Sequence, residues 1–253
     1  MTKNGNDEWN ITAAMNNEIV GGICTLYYQI ADKPEGAYVF KIRGKNPKDA
    51  AVRAYMDEAL PDFAGYAWAI AQHETRGGTS GNRVLNQFNP DGTKAHLPNK
   101  TKNGNGWGIG QIDRSKQKPP GVVTTAEVWN WKVNVLAMNT ALVNKRAMHR
   151  EFMGDFARTY GKRANWTPLQ GTQSHTFSNV TLSAESWATI VLYNGGGGVR
   201  QSKGIIKTDG KRYDINSPWA FGEGTGIWTF SDNGTNYAYK ISRELRGLNP
   251  VEE

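Results

Sequence analysis

A single cysteine, Cys24, in a chain of 253 residues limits how this protein can be held together. One thiol cannot form an internal disulfide, and it cannot build a zinc site that needs several cysteines. Burial of apolar side chains must therefore supply the stability, and a chain of this length is long enough to bury a core. Cys24 itself lies in an apolar stretch rich in β-forming residues, which predicts a buried structural thiol.

The composition and charge of the chain exclude several classes of protein. Hydrophobic residues make up 38% and charged residues 21%, unlike a disordered tail or a fibrous repeat. No apolar run reaches the roughly 20 residues of a membrane-spanning helix. Thirty Lys and Arg against 23 Asp and Glu give a net charge of +7. A basic surface suits an anionic polymer, and charge alone leaves nucleic acid, an acidic membrane face and cell-wall glycan open.

Turn and capping residues divide the chain into residues 1–60 and residues 61–253. In the first part, β-forming residues at 25–30 and 37–43 flank a turn-forming cluster and predict a hairpin. A helix then begins near Pro47 and ends near residue 60. The second part is mainly helical. Helices are predicted from Pro61 through Glu74 to a stop at Gly77-Gly78, from Thr124 to Tyr160, over 184–193 with Ser183 as the cap, and over 236–246. Residues 78–106 are predicted to form a loop, 161–180 a polar stretch and 204–233 an irregular region. The predicted fold class is mainly α, with a small N-terminal α/β segment.

Glu74 has the surroundings expected of a catalytic acid. It ends an apolar helix, where the helix dipole disfavours negative charge and where burial raises the pKa of a carboxyl group. Two further segments carry candidate binding residues: Gly106-Trp-Gly-Ile-Gly-Gln-Ile is a glycine-rich turn, and Ile190-Val-Leu-Tyr-Asn is a helix that ends before four glycines.

In this order, the three segments resemble the soluble lytic transglycosylase and goose-type lysozyme superfamily. Glu74-Thr75, the turn at 108–111 and Tyr193-Asn194 match the motifs, and the last helix, which contains Tyr237, is similar to the family's closing segment. The chain departs from the family in having Thr75 where the motif has Ser, Gly110 where it has Met, and no Pro in the glycine run. The resemblance implies a lysozyme-like domain, here placed at 61–253, that cuts peptidoglycan between N-acetylmuramic acid and N-acetylglucosamine.

The resemblance also implies a role for each matching residue. Glu74 acts as the acid and then as the base, and the 6-hydroxyl of the sugar attacks to leave a 1,6-anhydro ring. The partner is the glycan strand of peptidoglycan, not nucleic acid, and no metal or organic cofactor is implied. The substrate-binding residues are Thr75, Trp107, Ile109, Gln111, Tyr193, Asn194 and Tyr237.

Alternatives to this interpretation remain open. A hydrolytic muramidase would use a second carboxylate, for which Asp91 and Asp113 are the candidates, to assist an attacking water. A non-catalytic wall-binding module would keep the fold without the reaction, and Glu74 would then be an ordinary ion-paired residue at a helix end. A zinc-protease helix is excluded because His73-Glu74 lacks the second His four residues after the first.

Other histidines and tryptophans are expected to be mostly structural. We predict His96, His149 and His175 to be surface residues, not ligands. Among the tryptophans, we predict a sugar-stacking surface only for Trp107 and for one of Trp219 and Trp228.

The first ten residues are polar and include two acidic residues, so we expect no cleaved secretion signal. A wall-cleaving enzyme made in the cytoplasm must then reach the periplasm and cell wall by another route. We expect delivery either by a type VI-like secretion machine, as an interbacterial effector, or by a phage lysis or tail apparatus. The effector interpretation implies an immunity protein and a component of the secretion machine as partners, with residues 1–60 as the docking segment.

Overall fold

The computed structural model describes residues 22–30, 32, 35–75, 85–89, 97–100, 105–115, 121–194, 218–230 and 236–247. These residues form six α-helices and three two-stranded antiparallel sheets, which confirms the mixed, mainly helical class. The helices are α1 (Asp49–Ala59), α2 (Ala67–Glu74), α3 (Thr125–Trp129), α4 (Trp131–Tyr160), α5 (Ala184–Tyr193) and α6 (Tyr237–Leu245). The strands are β1 (Gly22–Tyr28), β2 (Gly36–Ile42), β3 (Ser174–Phe177), β4 (Val180–Ser183), β5 (Trp219–Gly222) and β6 (Ile227–Phe230).

Elements with strong local signals lie where the sequence predicts them. The predicted N-terminal hairpin is β1 paired with β2, in a register that sets Thr25 opposite Val39. Helix α1 follows as expected. Helix α5 begins after Ser183, whose hydroxyl accepts a hydrogen bond from the Ser186 amide at 3.1 Å and so caps the helix.

The predicted long helix from Thr124 to Tyr160 is wrong in one respect, because it breaks at Asn130. Asn130 has an extended backbone, and its side-chain oxygen accepts a hydrogen bond from the amide of Lys132 at 3.0 Å. Asn competes in this way with the helical backbone and starts a new helix instead. The predicted helix from Pro61 is likewise two elements, a 3₁₀ turn at Pro61–Phe63 and then α2, with Gly65 in the intervening turn. Its predicted glycine stop at residues 77–78 lies outside the described residues.

The predicted polar stretch at 161–180 contains β3, which pairs with β4. The prediction that 204–233 is irregular is wrong, because β5 and β6 form a hairpin there. Strands β3 and β4 are joined by Ser178 and Asn179, which both have positive φ, as a tight two-residue hairpin turn requires. Strands β5 and β6 are joined by a turn in which the Gly226 amide donates to the carbonyl of Gly222. Strands of four residues are too short for an alternating pattern to reveal them.

The chain forms two compact units that alternate along the sequence. Unit 1 comprises residues 1–52 and 75–135, and unit 2 comprises residues 53–74 and 136–253. The buried core of unit 1 includes Leu85, Phe88, Ile109, Ile112 and Trp131. The buried core of unit 2 includes Phe63, Ile70, Leu142, Trp187, Ile190 and Ile241.

Among the residues just described, no helix combines the length and the hydropathy that a bilayer crossing requires.

The prediction that His149 is a surface residue is wrong, because His149 is buried in unit 2 with only 2% of its surface exposed. Neither ring nitrogen forms a hydrogen bond with any residue that the structure describes. Burial lowers the pKa of the His149 imidazole to about 4, because a charged ring in this position would lose its hydration. His175 is only partly buried, and His96 lies outside the described residues.

The neutral His149 predicts a specific acid sensitivity. A histidine in the unfolded chain has a pKa of roughly 6.5, so the unfolded state takes up the proton first as the pH falls. Protonation of His149 in the unfolded chain therefore has little effect on the free energy of unfolding above pH 6.5, and it lowers that free energy progressively as the pH falls towards 4. We expect the free energy of unfolding to fall between pH 7 and pH 5 by about 2 kcal/mol more in the wild type than in His149→Leu. Urea denaturation of both proteins at the two pH values measures this, and equal losses would contradict it.

Candidate functional site

Glu74 is placed by the burial of the helix that it ends. Ala67, Ala69, Ile70 and Ala71 of α2 are buried, so the helix is fixed in the core of unit 2 along most of its length. Glu74 is the last residue of α2 and is half-buried. A carboxylate at this end of a helix receives no help from the helix dipole and needs other donors.

Tyr237 supplies such a donor. It is the first residue of α6 and is only 3% exposed, and its hydroxyl donates a hydrogen bond of 2.5 Å to Oε1 of Glu74. This length is typical of an O–H donor on a carboxylate. Burial, the negative charge of Glu74 and the hydrogen bond to it together raise the pKa of Tyr237 well above its usual value. The phenol therefore keeps its proton and remains a donor throughout the physiological pH range.

Tyr193 is the second tyrosine near this carboxylate. It is the last residue of α5, and the C-cap residue Asn194 follows it and is exposed. Burial and, secondarily, the negative charge of Glu74 raise the pKa of Tyr193. Helices α2, α5 and α6 thus bring Glu74, Tyr193 and Tyr237 together within unit 2, with Asn194 at the end of α5.

His73 and Glu244 belong to the same group but carry no sequence signal that singles them out. The ring of His73 lies edge-on to that of Tyr237, with 5.4 Å between the centroids. His73 Nδ1 lies 3.9 Å from Oε1 of Glu244, a carboxylate with 1% of its surface exposed. Glu244 lies seven residues after Tyr237 on α6, so that both side chains share one helix face. This spacing is the only pattern that links them in the sequence.

The glycine-rich turn at residues 106–112 lies in unit 1 and is closed by its own backbone. The Trp107 amide donates to the Ile112 carbonyl at 3.2 Å, and the Ile112 amide donates back at 3.0 Å. Gly108 and Gln111 both have positive φ. The Gln111 side-chain nitrogen donates to the Gly108 carbonyl at 2.8 Å, so part of the amide stabilises the turn itself.

The remaining predicted binding residues of unit 1 differ in exposure. Trp107 is half-buried, and the Lys100 ammonium lies 5.0 Å from the centroid of its ring. Ile109 is fully buried and anchors the turn in the core. Thr75, which directly follows Glu74 in sequence, is 1% exposed.

Two buried polar residues that the sequence analysis missed hold this turn. Gln87 Oε1 accepts from the Ile109 amide at 3.1 Å, and Asn134 Oδ1 accepts from the Gly110 amide at 2.7 Å. The Asn134 side-chain nitrogen also donates to the Trp107 carbonyl at 2.9 Å. Both side chains are fully buried. The only signal in the sequence was a polar residue with apolar neighbours. Gln87 lies close to Leu85 and Phe88, and Asn134 is followed by Val135.

The candidates for a second carboxylate and for stacking tryptophans have defined surroundings where the structure describes them. Asp113 accepts hydrogen bonds from the Ser115 amide at 2.9 Å and from the Ser115 hydroxyl at 2.5 Å, as in an Asx turn. Asp91 lies outside the described residues, as does the run of four glycines. Trp219 is 2% exposed, and Trp228 is half-buried. In the described ranges, no three His, Cys, Asp or Glu side chains are grouped closely enough to hold a metal ion.

Comparison of the chain with protein-family models, with curated proteins and with solved structures finds no match. Function must therefore be inferred from the residues and their geometry.

Asn134 provides a direct test of how the turn is held. We expect Asn134→Ala to lower the free energy of unfolding by roughly 3 kcal/mol, because the Gly110 amide and the Trp107 carbonyl lose a buried partner. Asn144→Ala is a matched control, since Asn144 is exposed on the same helix. Chemical denaturation measures both variants. A loss in Asn134→Ala no larger than that in the control would show that the turn does not depend on this side chain.

Proposed function

We propose that this protein cleaves the glycan strands of peptidoglycan between N-acetylmuramic acid and N-acetylglucosamine, with Glu74 as general acid and then general base. The observation that carries the proposal is the 2.5 Å hydrogen bond from Tyr237 to Oε1 of Glu74, in a half-buried site that also contains Tyr193. A general acid must be held in one orientation towards the leaving oxygen. Tyr237 fixes one carboxyl oxygen and leaves Oε2 to exchange the proton.

The proposed reaction uses a single carboxyl group. Glu74 Oε2 donates its proton to the glycosidic oxygen as the C–O bond breaks, and the sugar acquires oxocarbenium character. The resulting carboxylate then removes the proton from the 6-hydroxyl of the same sugar, whose oxygen bonds to the anomeric carbon. The products are a 1,6-anhydro muramyl end and a free 4-hydroxyl, and Glu74 is protonated again. Tyr237 stays protonated and stabilises the carboxylate between the two steps.

We propose a lytic transglycosylase because the order of the motifs resembles that family, whose reaction uses a single glutamate. The hydrolytic muramidase is the alternative, and it would need a second carboxylate to direct an attacking water. Asp113 is the described candidate for that carboxylate, and its Oδ1 accepts both hydrogen bonds from Ser115.

The proposed fold of the catalytic part is lysozyme-like. Support comes from the order of the motifs and from their positions at helix ends, since Glu74 ends α2, Tyr193 ends α5 and Tyr237 begins α6. Side chains at helix ends can converge on one point while the helices themselves pack in the core. This arrangement suits an active site carried by a mainly helical framework.

Substitution of Glu74 tests the proposal. We expect Glu74→Gln, which keeps the shape but cannot exchange the proton, to lower the rate of solubilisation of purified peptidoglycan by about 10²–10⁴-fold. Binding to the sacculi should persist. Tyr237→Phe should lower the rate by roughly 10- to 100-fold, the usual value of a hydrogen bond to a charged group. Glu58→Gln is the matched control, because Glu58 is exposed on α1.

Each outcome of that experiment has a definite meaning. Unchanged cleavage by Glu74→Gln would refute the assignment of the acid. Sacculus binding without soluble products from the wild type would favour a non-catalytic wall-binding module.

We propose delivery as an interbacterial effector, with an immunity protein as the partner at the site of Glu74. The proposal rests on the proposed substrate, which lies outside the cytoplasm. We expect expression with an added export signal to lyse the cells through the action of Glu74, and expression without it to be tolerated. Growth curves of wild type and Glu74→Gln in both forms measure this. Equal growth of all four strains would contradict it.

A further inference from the structure

A cavity of about 260 Å³ lies in unit 2 and shares no lining residue with the Glu74 site. It lies between the β3–β4 hairpin, the β5–β6 hairpin and the segment at 167–169. The cavity is open to solvent on one side, since Gln173, Ser174 and Ile227 of its lining are exposed. A space of this size fits one sugar ring or one side chain of a peptide.

Two indole rings form fixed walls of this cavity. The Trp228 Nε1–H donates to the Thr167 carbonyl at 2.8 Å, and the Trp219 Nε1–H donates to the Ala184 carbonyl at 3.0 Å. Phe156 lies 4.8 Å from Trp228, centroid to centroid, and supports that ring from the neighbouring aromatic cluster. Because each indole N–H is already bonded to the protein and Trp219 is only 2% exposed, a ligand meets the ring surface of the half-buried Trp228.

The polar groups that the described residues contribute to the cavity are uncharged. Among those residues, no Asp, Glu, Lys or Arg lines it. His175 lies edge-on to Trp219 at 4.8 Å, and burial lowers the pKa of its imidazole, so the ring is neutral at pH 7. Gln173 and Ser174 line the rim, are exposed, and make no side-chain hydrogen bond to any described residue. Apolar walls with a few convergent neutral polar groups recognise a neutral polar ligand and disfavour a phosphate, a carboxylate or an amine.

We propose that this cavity binds a neutral N-acetylated hexose ring of the glycan strand. The apolar face of the ring stacks on Trp228, and its hydroxyl or acetamido groups bond to Gln173 and Ser174. The inference rests on the proposed function, since wall glycan supplies this ligand. The cavity adds a second binding point, which keeps the enzyme on the glycan strand between successive cleavage events.

The test uses the full chain carrying Glu74→Gln, so that the ligand is not cut. The probe is the β-1,4-linked trimer of N-acetylglucosamine, with binding followed by calorimetry and by the NMR signals of the indole N–H groups. We expect the Trp228 and Trp219 signals to shift on binding. Adding Gln173→Ala should weaken binding about 3- to 10-fold, the usual contribution of one hydrogen bond. Gln170→Ala is the matched control, because Gln170 is exposed in the same segment but does not line the cavity.

Trp228→Leu removes the stacking surface and should weaken binding about tenfold or more. A thermal melt checks that this variant is folded, and Gln173→Ala keeps the test valid if it is not. Unchanged affinity in Gln173→Ala, together with unshifted Trp228 and Trp219 signals, would overturn the proposal. So would tighter binding of an uncharged apolar probe such as indole at the same signals.

The experiments distinguish failure of the cavity proposal from failure of the proposed function. Loss of cleavage in Glu74→Gln, with unaltered trimer binding in Gln173→Ala and unshifted Trp228 and Trp219 signals, would reject this cavity alone. Cleavage that survives Glu74→Gln would reject the catalytic assignment whatever the cavity binds.

Discussion

The hydrogen bond between the Tyr237 hydroxyl and the Glu74 carboxylate joins residues 163 positions apart in the chain. A buried phenol needs a partner for its polar atom, and a half-buried carboxylate needs a donor. Each group meets the need of the other, so the end of α2 and the start of α6 must come together. The pairing of His73 with Glu244 connects the same two helices at a second point.

This constraint explains why the candidate acid belongs to the framework and not to a loop. Helix α2 is held by its buried alanines and Ile70, and α6 is held by Ala238 and Ile241. The short hydrogen bond from Tyr237 on α6 therefore holds the Glu74 carboxyl group in a fixed position. The proposed reaction needs a single carboxyl group to serve as acid and then as base, and a preorganised group does not need to reorient between the two steps.

The sequence predicts those parts of the fold that depend on local chemistry. The cap at Ser183 and the pairing of the first two strands depend on residues close together in the sequence, and both predictions are confirmed. The break at Asn130 and the two short hairpins were missed, because a side-chain cap and four-residue strands leave little periodic signal. The order of the motifs identified Glu74, Tyr193 and Tyr237. Gln87, Asn134 and Glu244 could not be identified in this way, since the role of a buried polar group depends on distant partners.

The most direct measurement is mass spectrometry of the soluble products that the wild-type protein releases from purified peptidoglycan. Attack by the 6-hydroxyl under the control of Glu74 predicts muramyl ends in the 1,6-anhydro form, with none from Glu74→Gln. Reducing muramyl ends, heavier by one water, would contradict the single-carboxylate reaction and indicate hydrolysis with a second carboxylate.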